Sequence, residues 1–210
     1  MKMIKLVLAT AALAVSCAAI AGPSYTYVDA GITLADGFGD NSETEGLALR
    51  GSFGFADIFH VGGGYGQGDL DGGKSESGFD VTSYNLYFGV NPAITENMDL
   101  VSRIGYAKSE LDADGFNDLE LSGLWLEVGP RAMVSEKLEL NAAVTLFTGE
   151  VEETSGCGGS CDKDDLNEFG FRVGAEYYFT PAFSVGLDSE VKGLFGDAVN
   201  IHGRWSFGNN

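Results

Sequence analysis

The sequence predicts an all-β chain: a single antiparallel, up-and-down transmembrane β-barrel of ten strands, or of eight if one hairpin lies outside the bilayer. Three observations point there. The chain opens on an export leader, its apolar residues recur at every second position over ten segments, and its connections alternate between short turns and longer polar links.

The leader carries Lys2 and Lys5, then an apolar run from Leu6 to Ala21 broken only by Thr10, Ser16 and Cys17. The small residues Ala19 and Ala21 before Gly22 mark a secretory signal peptide, cleaved between Ala21 and Gly22, so residues 22–210 are expected to form the barrel domain. Lipidation at Cys17 fits less well, because Ala14 is a weak first residue for a lipid-attachment box. No later stretch approaches the roughly 18 consecutive apolar residues of a spanning helix. If the mature chain enters a membrane, it does so with strands. The whole sequence has 12 Lys plus Arg against 31 Asp plus Glu, and two of those lysines belong to the leader. An acidic chain without a basic stripe excludes nucleic acid as a partner.

Ten strands are expected near 24–35, 44–55, 58–68, 79–91, 98–109, 118–133, 138–149, 166–179, 183–193 and 198–207. Each is long enough to cross a bilayer, which takes about 9 to 11 tilted residues. Short turns fall at 56–57, 92–97, 134–137 and 180–182, and longer links at 36–43, 69–78, 110–117, 150–165 and 194–197. That alternation strings a transmembrane barrel with both termini on the short-turn side.

Within each strand one parity is apolar, as in Leu47, Leu49 and Phe53, or Leu138, Leu140, Val144 and Leu146. The basic residues Arg50, Arg103, Arg131, Arg172, Lys192 and Arg204 fall on the opposite phase, with the acidic Asp29, Glu127, Glu139, Glu176, Asp188 and Glu190. A Lys or Arg facing lipid at midplane costs about 2–4 kcal/mol, so a bilayer imposes this segregation. A soluble sandwich would alternate too, but its inner faces need bulk against bulk. Here the charged phase is also rich in glycine, including Gly62, Gly64, Gly89, Gly105, Gly129 and Gly174. The charges are expected to pair inside the lumen as an ion network that leaves it plugged or narrow. Aromatics at strand ends, namely Tyr25, Tyr27, Phe55, Phe59, Phe88, Tyr177, Tyr178, Phe179, Phe183, Trp205 and Phe207, read as an interfacial girdle.

The last strand, AVNIHGRWSF, alternates Val199, Ile201, Gly203, Trp205 and Phe207 close to the C-terminus. Together with the leader and the alternating segments, it resembles the small outer-membrane β-barrel superfamily of OmpA-like, OmpX-like and Ail-like type. The resemblance is architectural and spans nearly all of residues 24–207. It implies residence in the outer membrane, contact with outer-membrane lipid and lipopolysaccharide, and recognition of the final strand by the barrel-assembly machinery. Those relatives have eight strands, and here Gly208, Asn209 and Asn210 displace the usual terminal aromatic. Members serve as structural anchors, adhesins, complement-resistance factors or narrow pores; no cofactor is implied, and fold does not choose among these roles.

Candidate chemistry is sparse. His60 and His202 sit on the inner phase, and Ser206 lies about 13 Å along the strand from His202, too far for a hydrogen-bonded dyad, so no enzyme is expected. The long links are acidic, with only Lys74, Lys108 and Lys163 to offset them. Asp112, Asp114 and Asp118 are weak candidates for divalent-cation ligands, because the glycine of DADG arrives two residues too early for an EF-hand loop. Cys157 and Cys161 are spaced wrongly for a thioredoxin-type dithiol and lack the further ligands of a structural zinc site. In an exported loop they are expected to form a disulfide that shapes the acidic tip and adds about 2 kcal/mol at most. The expected function is an outer-membrane barrel displaying acidic surface loops in a structural or cell-surface interaction role. A narrow passive channel for small solutes or ions is the alternative, and a secreted soluble barrel binder is the weakest reading.

Overall fold

The computed structural model describes residues 24–36, 43–71, 79–113, 118–154, 163–193 and 196–207. The leader, with Ala21 and Gly22, the loop carrying Cys157 and Cys161, and Asp114 lie outside the described residues.

Period-two alternation becomes eleven strands: β1 (Tyr27–Asp36), β2 (Glu43–Phe55), β3 (Phe59–Asp71), β4 (Phe79–Val90), β5 (Ala93–Thr95), β6 (Met98–Ala113), β7 (Leu119–Ser135), β8 (Leu138–Glu153), β9 (Lys163–Thr180), β10 (Phe183–Gly193) and β11 (Gly196–Ser206). Every pairing is antiparallel, and apart from β4 with β6 each joins chain neighbours until β1 meets β11, from Tyr27↔Ser206 to Ala35↔Ala198, and closes the sheet. β4 pairs directly with β6 from Phe79↔Ala113 to Val90↔Ser102. The three-residue β5 pairs only with the start of β6 inside that turn, so the wall is a closed ring of ten strands, as expected, rather than eight. Closure gives each of the ten wall strands two neighbours, as a wall facing lipid requires.

The two faces follow parity. On β7 the described exposure alternates through Leu124, Leu126 and Val128 outward and Trp125, Glu127 and Gly129 inward. An outward row of apolar side chains crosses neighbouring strands: Phe53, Val61, Phe88, Ile104, Leu126, Leu146 and Phe169 are each directly opposite the next. All seven are exposed large hydrophobics, which suits a wall solvated by acyl chains.

Two expectations are corrected. Tyr25, Tyr27 and Tyr178 are not girdle residues but are buried in the lumen, because they share the phase of Asp29 and Glu176. The short-turn girdle consists of exposed Phe55, Phe88, Tyr177, Phe179, Phe183, Trp205 and Phe207, with Phe59 stacked 5.9 Å from Phe55. The links at 110–117 and 150–165 are also shorter than expected, because β6, β8 and β9 continue through Ala113, Glu153 and back to Lys163. Above the bilayer a ladder needs no apolar face, and pairs such as Leu111↔Leu119 and Val151↔Asp164 extend it.

Inward glycines let neighbouring strands approach closely. A Cβ on Gly129 would meet the Ala142 carbonyl oxygen and lie 2.6 Å from Ala143 Cα, both backbone atoms of β8. Gly129→Val is therefore expected to strain the β7–β8 pair by about 1–3 kcal/mol. A lower urea midpoint and a smaller heat-modifiable folded band after refolding would show it; an unchanged midpoint would refute the close-approach argument.

Candidate functional site: the lumen

The lumen is where the inner-phase side chains converge. Arg50 on β2 donates from Nε to Asp29 Oδ1 of β1 at 2.7 Å and from Nη1 to Asp188 of β10 at 3.1 Å. Glu127 on β7 bridges two arginines, Arg103 of β6 and Arg172 of β9, each at 2.6 Å. Arg131 clasps Glu139 through Nε at 2.7 Å and Nη2 at 2.9 Å. Arg204 on β11 reaches Asp29 at 3.2 Å, Glu176 at 3.3 Å and Glu139 at 3.9 Å.

Ten of the twelve charges predicted for the lumen thus meet in ion pairs. Glu190 lines the same cavity as Arg172 without an ion pair among the described contacts, and the Lys192 side chain lies outside the described residues. Asp29 and Glu139 are each 1% exposed. Carboxylates buried that deeply are tolerated only when their oxygens are satisfied by donors.

Several neutral partners were missed by a reading confined to charge. Tyr178 donates to Glu139 at 2.9 Å, Ser184 to Glu176 at 2.7 Å, and Arg50 to Asn200 at 3.1 Å. Arg103 donates to His60 Nε2 at 3.2 Å, while His60 Nδ1 lies 3.0 Å from Asn91 Oδ1. All of these strand residues lie on the inner phase, so the same parity would have found them had polar residues been tracked with the charged ones.

Among the described contacts neither histidine is hydrogen-bonded to a serine. His202 Nε2 lies 2.9 Å from one oxygen of Glu176, and Ser184 bonds to the other oxygen of that carboxylate, not to the imidazole. Ser184 is therefore not part of a Ser–His pair. Ser206 Oγ has no hydrogen-bond partner among the described residues, and His202 is not beside it. No group of three or more His, Cys, Asp or Glu that could hold a metal is present among the described residues. Asp112 sits exposed near the end of β6 opposite Asp80, and Asp118 lies just before β7.

A cavity of about 300 Å³ threads the charged layers, from Val101 and Arg131 near the short-turn end to Glu168 and Glu190 toward the long links. A second space of about 260 Å³ shares Arg50, Asn85 and Glu190 with it and is walled by Gly46, Ala48, Gly64, Gly66, Gly68 and Ser83. The small inner residues of β2 and β3 leave a vestibule above a polar floor.

At the outer rim the strands carry outward carboxylates in register: Glu45, Asp69, Asp80 and Asp112 lie opposite one another on β2, β3, β4 and β6. Such like-charge pairs are mildly destabilising and screened by salt. Lys108 offsets them locally, 2.8 Å from both Glu110 and Glu120. Lys163 donates to Glu152 at 2.6 Å, and that bond holds its ammonium above the ordinary lysine range.

A family model described as an outer membrane protein beta-barrel domain matches residues 6–202. Among solved structures, the outer membrane protein OprG from Pseudomonas aeruginosa is 14% identical, with 90% of this chain and 100% of that one covered and a TM-score of 0.46. The outer membrane protease OmpT from Escherichia coli is 10% identical, with coverage of 87% and 94% and a TM-score of 0.46. The outer membrane protein Ail of Yersinia pestis is 13% identical, with coverage of 88% and 100% and a TM-score of 0.41. No curated protein matches the chain.

Proposed function

The chain belongs to the outer membrane protein beta-barrel domain family, and from that premise we propose that it is a non-enzymatic barrel that holds an acidic surface outside the cell, with its lumen closed at rest. The outer membrane is its location. One observation carries the proposal: ten of the twelve lumen charges are spent on one another across neighbouring and more distant strands, while Glu45, Asp69, Asp80 and Asp112 line up on the rim. Arg204 alone ties β11 to β1, β8 and β9. A network of that kind braces the wall and leaves few free groups for a solute or a substrate.

The extended hairpins support the display role. Beyond the apolar band, β8 and β9 stay paired through Glu150↔Asp165 and Glu152↔Lys163, so acidic groups are presented on ordered strands. Tags inserted in the loop between β8 and β9 are expected to be labelled on intact cells by an impermeant reagent. Folded protein in planar bilayers is expected to be silent for most of the record. Labelling only after the cells are broken, or steady conductance, would overturn the reading.

A narrow ion channel is the second reading. The cavity that passes through the charged layers favours it.

A further inference from the structure

We propose that Tyr25 is a latch that closes the short-turn mouth of the lumen, and that its release opens a narrow path for small ions. The inference rests on the reading of a lumen closed at rest and adds where the closure lies.

Tyr25 precedes β1, yet its hydroxyl donates to Asp99 Oδ2 on β6 at 2.9 Å. Around the ring, β1 and β6 are separated by β2, β3 and β4 on one side and by five strands on the other. The contact therefore crosses the mouth. Two further contacts hold the ring on the way: the His60 ring at 4.9 Å and the Arg131 guanidinium at 4.7 Å above its face. The phenol is 9% exposed.

Three strands thus meet on one side chain, two of them neighbours with Asp99 directly opposite Arg131. β3 contributes His60, β6 Asp99 and β7 Arg131. Each is an inner-phase residue near the short turns.

The position of the cavity gives this stack its consequence. The space that passes the ion pairs reaches Arg131 at its lower end, and Tyr25 packs against that same guanidinium without lining the cavity. At the other end the space joins the glycine-walled vestibule. Most of the paired charges line that space, whereas Tyr25, His60 and Asp99, which meet beside Arg131, do not.

Tyr25 can also move without dismantling the sheet. β1 begins at Tyr27, and the last backbone tie before it is the Thr26 carbonyl accepting from Phe207 N–H at 2.8 Å. Swinging the side chain away gives up one hydrogen bond, one cation–π contact and one ring contact, with every rung of the β1–β11 ladder intact.

Single-channel recording in planar bilayers with potassium chloride tests the latch, on protein whose folding is verified by heat-modifiable gel migration. Tyr25→Ala is expected to raise the open probability at least tenfold over wild type. Tyr25→Phe and Asp99→Asn keep the bulk of the mouth but weaken the crossing hydrogen bond, and both are expected to raise the frequency of brief openings. A folded Tyr25→Ala barrel as silent as wild type overturns the latch. Should that variant fail to fold, unchanged opening frequencies in both milder variants overturn it equally. Wild type that conducts steadily defeats the resting-closed reading itself, whereas silent wild type with silent variants defeats only the latch.

Discussion

Val144→Arg is expected to destabilise the folded barrel by about 2–4 kcal/mol in phospholipid vesicles, while Thr148→Arg on the same strand and face costs about 0–1 kcal/mol. Val144 is 38% exposed on the outer surface of β8, between Leu140 and Leu146 along the strand. Its cross-strand neighbours are Val128 and Phe171, both exposed apolar side chains. A guanidinium there has no carboxylate within the outward row and must thin the bilayer or reach for headgroups. Thr148 lies about 13 Å further along the strand, where the face turns toward Glu150 and Glu152 and a cation meets water and carboxylates. Urea unfolding of each variant from vesicles measures the difference. Equal costs at the two positions would mean that no acyl-chain band surrounds this wall. A cost at Thr148 exceeding that at Val144 would place the band elsewhere along the strand.

Parity was legible because it depends only on the local geometry of an extended chain, in which successive side chains point to opposite faces. It placed Arg50, Asp29 and Asp188 on one surface without any knowledge of closure. Which groups pair was less legible. Arg131 and Glu139 are eight residues apart across a single turn, a contact that a hairpin register could have supplied. Arg50 and Asp188 are 138 residues apart and meet only because β1 closes on β11. The tyrosines show the converse error: Tyr25, Tyr27 and Tyr178 were assigned by nearness to strand ends, whereas their phase already pointed them inward. The long links misled for a related reason. Glu110, Glu150 and Asp165 looked like loop because they carry charge, but strands that rise above the lipid need only hydrogen-bonded backbones. The sequence could not show the cavity among the charges, since that space depends on how Glu127, Arg172 and Arg204 share their bonds across six strands.

Glu139→Ala is expected to destabilise the barrel by about 3–5 kcal/mol, because it strands a charge where water has little access. Arg131 is 5% exposed and sends two of its nitrogens to the Glu139 carboxylate; Tyr178 donates to one of the same oxygens. Without Glu139 the nearest described bond for that guanidinium is the face of Tyr25, and a cation–π contact replaces only part of a bidentate pair. Removing both partners should cost much less. In Arg131→Met with Glu139→Leu neither charge needs solvation, and packed apolar side chains can replace a buried pair at little net loss. The double variant is therefore expected to recover most of the stability lost in Glu139→Ala, read as the urea midpoint in vesicles. If the single variant is as stable as wild type, the carboxylate is not bracing the wall. If the double variant is no better than the single one, the loss comes from side-chain volume and not from an orphaned charge. The two outcomes separate electrostatic bracing from simple filling at the layer on which Tyr25 rests.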